Sequence, residues 1–576
     1  MTRMKSVFAV LLLIAIVRVV PQAHAQTVKV ILAGSSAMWQ GMALAAYNSG
    51  NCISGGTAPC FHYTGSNFNL ADGRPTVLSG TTAVDLGNVW VVWDSAASPN
   101  VWAYSKVDSG VGDRCYFAQP HCTISLPTLP APANLISSTL WGDGSSDSTP
   151  PAAVSALLTS GTLQVNTAAT DIRPEDALFA TCRANSKLGG AHDNLGGLGY
   201  GVNASGTCPA FGAALANLEG SDILSAYPGS TSTAHLLAFA LTGKDPFTGT
   251  TVPVYSTVSV GAAPIIFITQ RTGALKTVTN ATDAQLQAAF SGTNCDATAF
   301  GVAAADIQVY LREPPSGTMN TTEYTVFRYP AYTGKSQETS VAAANPLAKA
   351  CTAGGKRYRS IGTGEEVKFV LNSGTNFGTD GIGYTFFSYG NVTSIADNAS
   401  YGYLTLNGVD GIFHKYGTTI DPGQPSVAGE LPSAATLPAA CAGAFPCAEG
   451  KIWSGNLSFP NLRNGSYRAW SILRVVSNGA ALANATLLVS AAQTYAVNTV
   501  PDFVPAQKVG ATDPGLALLR SHYTRIGVPP VNVATTGDRG GDAGGCILTS
   551  TGIAATSDTT TKLAQSAPLT SCVSVP

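Results

Sequence analysis

Ile307-Gln308-Val309-Tyr310-Leu311-Arg312-Glu313-Pro314-Pro315-Ser316-Gly317-Thr318 is the stretch whose reading decides the fold. A short apolar strand ends at Arg312, and four residues on, Ser316-Gly317-Thr318 opens a helix expected to run to Arg328. The first turn of a helix leaves backbone N–H groups without partners, and the helix dipole adds positive character there. Gly317 allows close approach of a ligand to the backbone. The two flanking hydroxyls and the Arg312 fork complete a cradle for an oxyanion. The same residues also fit an ordinary helix cap, with Ser316 capping and Arg312 on the surface.

A second unit of the same kind stands at the start of the chain. Thr27 to Leu32 is an apolar strand, Ala33-Gly34-Ser35-Ser36 a turn, and Ala37 to Tyr47 has helical periodicity. Strand, small-residue turn and helix is the opening of an α/β unit. Further along, Asn88–Trp93 and Val101–Ser105 read as a hairpin, and Leu163–Ala169, Val258–Gln270, Gly381–Tyr389 and Tyr467–Ser477 as strands. Asp283–Phe290, Ala480–Ala496 and Asp513–Ile526 read as helices. Asn51–Ser79 reads as a loop and Ser125–Pro151 as a surface excursion, both rich in Gly, Ser, Asn or Pro; Arg183–Pro228 reads as a Gly-rich insertion.

Composition narrows the function. The chain has 576 residues, of which charged residues make up 11%, and its 31 Lys+Arg against 33 Asp+Glu leave a net charge of -2. A nucleic-acid partner, which needs a basic surface, is not expected. Arg3 and Lys5, the apolar run within Ser6–Val17 and the small-x-small site Ala23-His24-Ala25 predict a signal peptide over residues 1–25, hence a periplasmic or secreted protein. The first Cys of the mature part is Cys52, so no lipid-acceptor Cys stands at its start. The 12 Cys are spaced as local pairs in an exported chain: Cys52–Cys60, Cys115–Cys122, Cys182–Cys208, Cys295–Cys351, Cys441–Cys447 and Cys546–Cys572. No C-x-x-C occurs and the seven His do not cluster with Cys, so neither zinc nor an organic cofactor is expected. Gly196–Gly201 lacks the spacing of a dinucleotide fingerprint, and no nucleophile-elbow, metalloprotease or P-loop motif is present.

With these motifs the chain resembles the phosphate-binding proteins of ABC phosphate uptake systems, in the type II periplasmic binding protein superfamily. The family's G-A-G-[AS]-[ST]-F turn is similar to Leu32–Ala37, its R-x-D-G-S-G-T to Arg312–Thr318, and its G-A-I-G-Y strand to Asp380–Tyr384. Its D-F-G-A-S-D-x-P segment is similar to Asn166–Pro174, and its apolar crossing strand to Val258–Gln270. The motifs occur in the family's order. The resemblance implies an α/β fold of two lobes around a central cleft, with two crossing hinge strands and, here, loop-rich insertions. It implies residues 26–266 plus 470–576 as lobe one and 267–469 as lobe two. It also implies a ligand shell: Ser36 and Ala37 supply a hydroxyl and an N–H, Ser109 a hydroxyl, Asp171 an acceptor, Arg312 the charged fork, and Ser316, Gly317 and Thr318 hydroxyls and helix-start N–H groups. Ser66 is an alternative to Ser109, and Asp94 to Asp171.

The carboxylate has a physical purpose in such a shell. An ionised carboxylate only accepts hydrogen bonds, as does sulfate, whereas mono- or dibasic phosphate still carries a proton to donate. An acid therefore admits phosphate and rejects sulfate. The chain departs from the family in Ala37, where an aromatic is usual, and in Pro314-Pro315, where Asp-Gly is usual. The function implied is that of an exported, non-enzymatic and monomeric solute-binding protein for inorganic phosphate or a related oxyanion, with an ABC permease as a membrane partner. Two other readings stay open. One is a surface or adhesion protein that keeps the fold without transport, and the other is a phosphoester hydrolase.

Overall fold

The computed structural model describes residues 26–49, 52–53, 55–71, 86–117, 120–125, 128–172, 255–312, 316–327, 348–360, 362–387, 400–413, 459–463, 467, 469–498, 503–505, 548–549 and 552–553. The predicted signal peptide, the 183–228 insertion and the helix expected over 513–526 lie outside them. So do three of the six expected Cys pairs, 182–208, 441–447 and 546–572.

One half of the molecule is built on β1 (Thr27–Gly34), β2 (Cys60–Ala71), β3 (Leu86–Asp94), β4 (Asn100–Lys106), β5 (Thr123–Ser125), β6 (Leu163–Gln164) and β7 (Thr167–Thr170). β1 lies between β4 and β7, parallel to both, while β3 and β2 continue the sheet antiparallel. Its central strands are apolar on both faces because both faces are covered. Val30, Leu32, Trp90, Val92, Trp102 and Tyr104 pack toward the helix Trp39–Asn48. Ile31, Ala33, Val89, Val91, Val101 and Ala103 pack toward the helices Ser109–Phe117 and Ala152–Thr159. The helix Gly479–Asn498 lies against the Trp39 helix.

The long β8 (Ser256–Gln270) leaves this half, and β9 (Asn280–Ala281), β10 (Gln308–Arg312), β11 (Ala348–Ala350), β12 (Lys356–Ser360), β13 (Gly381–Phe386) and β14 (Tyr401–Leu406) belong to the other. β10 lies between β12 and β13, parallel to both. The chain returns through β15 (Trp470–Ser477), antiparallel to both β8 and β7. β8 changes partner at one point: Ser256–Pro264 pair with β15, and Ile265–Thr269 with β13. β8 and β15 are thus two crossing strands between the halves, and the molecule is a two-lobed α/β fold.

The helix Asp283–Phe290 has the bounds expected, with Thr282 and Gln285 forming a capping box. Several expectations need correction. Within the segment 51–79, Cys60–Ala71 is not loop but β2, which pairs with β3 from Cys60 to Asn69; Tyr63 and His62 are fully buried there despite their Gly- and Asn-rich neighbours. The single strand expected over 163–169 is two, β6 and β7, which pair with different neighbours. The 125–151 excursion is not wholly on the surface: Ile136, Trp141 and Asp147 are buried. Cys52–Cys60, Cys115–Cys122 and Cys295–Cys351 are disulfides, as spaced.

A polar cluster pins that excursion to β2. His62 stacks on Trp141 with ring centroids 4.1 Å apart, its Nδ1 lies 2.9 Å from Asp147 Oδ1, and its Nε2 lies 3.2 Å from Asp143 Oδ2. Asp147 Oδ2 also accepts from Thr64 N and Asn134 N at 2.9 Å. Carboxylates only accept, so the ring holds either of them by donating an N–H. His62→Gln puts one amide nitrogen where the ring has two nitrogens and loses the stacking on Trp141. It should lower stability by ~1.5–3 kcal/mol, the range for hydrogen bonds to charged groups. Denaturant unfolding measures this, and an unchanged midpoint would show that the tether contributes nothing.

Candidate functional site

In open α/β sheets, ligands bind beyond the carboxyl ends of the strands. In lobe one the parallel strands β1, β4 and β7 end together, and Ser35-Ser36, Asp108-Ser109 and Asp171 follow them directly. In lobe two the parallel strands β10, β12 and β13 end together; Arg312 closes β10, and the helices starting at Gly317 and Gly362 follow β10 and β12. The two sets of strand ends meet.

Lobe one contributes a tightly bonded rim. Gly34 has φ +139°, and a Cβ there would overlap the Ala169 carbonyl oxygen, so only glycine lets β1 turn this close to β7. Ser35 N donates to Ala169 O at 2.8 Å, and Ser35 Oγ accepts from Ala37 N at 3.2 Å. The Tyr104 hydroxyl donates to Ser35 O. Ser109 Oγ donates to Asp171 Oδ1 and accepts from Asp171 N at 3.2 Å. Burial raises the Asp171 carboxyl to about 7, against the opposing pull of its own backbone, Arg312 and Arg474. Arg474 sits on β15 opposite Thr170, the residue before Asp171, and is fully buried.

Lobe two brings the charged fork. Arg312 is 1% exposed. Its Nη1 donates to Thr363 Oγ1 at 2.8 Å, its Nη2 to Asp108 Oδ1 at 2.7 Å, and its Nε lies 3.9 Å from Glu366 Oε2. Glu366 Oε1 accepts from Tyr384 N at 3.0 Å. Thr363 Oγ1 in turn lies 2.9 Å from Ser36 Oγ across the cleft. Ser316 Oγ accepts from Met319 N at 3.3 Å, so it does cap the helix Gly317–Thr322. Gly317 faces the opposite lobe: a Cβ there would overlap the Asp171 carboxylate.

Residues expected from the sequence thus converge: Ser36, Ala37, Ser109 and Asp171 from one lobe, and Arg312, Ser316, Gly317 and Thr318 from the other. Ser316 and Thr318 are buried, and Arg312 is not on the surface. The alternatives lie elsewhere. Ser66 is on β2, three strands from β1. Asp94 ends β3 at the edge away from the cleft, where it accepts from Asn100 N at 2.9 Å and Thr57 N at 3.0 Å and closes the hairpin. Pro314-Pro315 lies outside the described residues. Four residues of the site were not anticipated: Asp108, Thr363, Glu366 and Arg474. Among the described residues no group of three or more His, Cys, Asp or Glu is arranged to hold a metal ion, and no helix is long and apolar enough to cross a membrane.

The paired strand-end clusters and the two crossing strands define a two-lobed α/β fold with a cleft between the halves. No protein-family model matches the chain, and no curated protein matches it. Among solved structures it is similar to a human phosphate-binding apolipoprotein at 14% identity and a TM-score of 0.31, over 84% of this chain and 96% of that one. It is similar to PstS from Borrelia burgdorferi at 12% identity and a TM-score of 0.24, over 42% of this chain and 69% of that one. An ABC-type phosphate transport receptor from Vibrio cholerae aligns at 12% identity and a TM-score of 0.22, over 43% and 71%.

Proposed function

We propose that the protein binds inorganic phosphate, or a closely related oxyanion, in the cleft between its lobes, and that hinge motion about β8 and β15 admits and releases it. One observation carries this reading. A buried arginine, a buried acid, paired serine hydroxyls and a helix start come from five separate segments to one place between two lobes. Arg312 supplies counter-charge, Ser36, Ser109, Ser316 and Thr318 supply hydroxyls, Ala37, Gly317 and Thr318 supply N–H groups, and Asp171 accepts a hydrogen bond from the ligand's remaining P–OH. The lobes divide as 26–266 with 470–576, and 267–469. The protein acts as a monomer exported to the periplasm or beyond, delivering its ligand to an ABC-type permease, in a binding and not a catalytic role.

A second reading draws on the Asp108–Arg312 and Ser36–Thr363 contacts. In it the cleft is fastened by its own side chains, and the fold serves at a surface without a ligand. One measurement separates the two. The purified mature protein is denatured and released phosphate assayed, then the refolded protein is titrated with phosphate by calorimetry. Binding near micromolar, about -8 kcal/mol, is expected. No heat at millimolar phosphate would overturn the first reading.

A further inference from the structure

We propose that Asp108 is a specificity-determining residue of the cleft: its carboxylate competes with a bound anion for the Arg312 guanidinium, and screens anions by whether they carry a proton. This rests on the oxyanion-binding reading above and adds to it a second acid that Asp171 does not replace.

The geometry fixes both partners. Asp108 opens the helix Ser109–Phe117, its carbonyl accepting from Gly112 N at 2.9 Å, so its backbone is held at the strand end. Its side chain is only 9% exposed, and Oδ1 lies 2.7 Å from Arg312 Nη2. The pair bridges the lobes, since Asp108 follows β4 and Arg312 closes β10. Glu366 lies near the same guanidinium, but its Oε1 accepts from Tyr384 N within lobe two. Asp108 alone of these two acids comes from the opposing lobe, where it lies next to Ser109 and so beside Asp171.

The consequence is chemical. A guanidinium has five N–H donors, so an incoming oxyanion can share Arg312 with Asp108, but it then faces a carboxylate held against the same cation. An anion with no proton meets only repulsion from that carboxylate. One with a hydroxyl can turn its proton toward Asp108 and remove the conflict. Asp108 therefore weakens the binding of all anions and weakens that of fully ionised ones more. Asparagine at 108 would keep an acceptor for Arg312, remove the charge and add a donor toward the ligand.

The test is calorimetric titration of the full mature chain and of Asp108→Asn with inorganic phosphate and with sulfate, at pH 8. Sulfate affinity should rise at least tenfold in Asp108→Asn and phosphate affinity by less, so that the phosphate/sulfate ratio narrows. A ratio that stays put, or a loss of affinity for both anions, in a variant that melts as a folded protein makes Asp108 a mere support for Arg312 and overturns the proposal, while the phosphate-binding reading stands. If the parent binds neither anion and Asp108→Asn binds them, the proposal stands and the reading of phosphate as the protein's ligand falls. If neither protein binds either anion, both fall. Asp108→Ser, which can still cap the helix, carries the same comparison should the asparagine variant not fold.

Discussion

Arg312→Ala should weaken phosphate binding by ~2–5 kcal/mol, the range for truncating one partner of a buried, hydrogen-bonded charge pair. The reason lies in what surrounds the side chain. Arg312 is 1% exposed and faces carboxylates from both lobes, Asp108 and Glu366, with Asp171 near enough for its charge to be felt. Without the guanidinium, an arriving anion meets three acids and no fork. The helix start at Gly317 supplies partial charge but not a full counter-charge. Lysine is a poor substitute, because Nη1 and Nη2 reach Thr363 and Asp108 on different lobes at once and an ammonium presents no planar fork. Ser316→Ala should cost less, ~1 kcal/mol, since one neutral hydrogen bond is lost. Calorimetry on both variants gives the order. Removing Arg312 also leaves buried acid without its cation, so the fold itself should weaken, and circular dichroism must first show that the variant is folded. If folded Arg312→Ala binds phosphate as the parent does, Arg312 serves only to fasten the lobes.

What the sequence made legible follows from where its signal is local. Strand, turn and helix at 27–48 and again at 307–322 stand out because apolar runs abut small-residue turns, and both turns do face the cleft. β8 and β15 are readable as strands because each is an apolar run of the right length, while their crossing between the lobes is what the family resemblance implies. β12 was not: Lys356-Arg357-Tyr358-Arg359-Ser360 carries three basic residues, and only pairing with β10 and β11 makes it a strand. The helix Gly362–Leu371 that follows it, and with it Thr363 and Glu366, is hidden because its first turn, Gly362-Thr363-Gly364, has the composition of a loop. Asp108 and Arg312 are 204 residues apart in the chain, and no spacing rule connects them. Arg474 did leave a trace, as a lone cation inside the apolar run Trp470–Ser477. A charge in a strand buried on both sides needs a partner, and the register opposite Thr170 brings it to Asp171. Ser109 shows the converse case: it was placed by likeness to a loop, yet it starts a helix, and that helix holds its hydroxyl on Asp171.

Asp171→Asn should change both stability and selectivity, and in each the sign follows from a carboxyl raised by burial to about 7. In the unfolded chain the same group titrates near ~3.9. Between those values the native protein holds a proton that the unfolded chain has released, so stability is fully favoured below about pH 4 and falls as pH rises to about 7. Above about 7 the ionised acid stays buried and its desolvation weighs on the fold. Asparagine does not titrate, so the variant should gain on the parent between pH 4 and pH 8, by up to ~4 kcal/mol at 1.36 kcal/mol per pH step. Denaturant unfolding of both proteins at the two pH values reads this difference directly; equal differences would mean that Asp171 does not hold its proton. Selectivity moves over the same window. Above about pH 7 the ionised carboxylate only accepts, so a protonated phosphate satisfies it and sulfate does not. Below that pH it carries a proton of its own and can donate to either anion. The parent should therefore discriminate against sulfate more strongly at pH 8 than at pH 6. Asp171→Asn, whose amide donates at both, should discriminate weakly throughout. Competition titrations at pH 6 and pH 8 decide the matter, because an unchanged phosphate/sulfate ratio at pH 8 would place Asp171 outside the ligand's reach despite its position against Gly317 and Ser109.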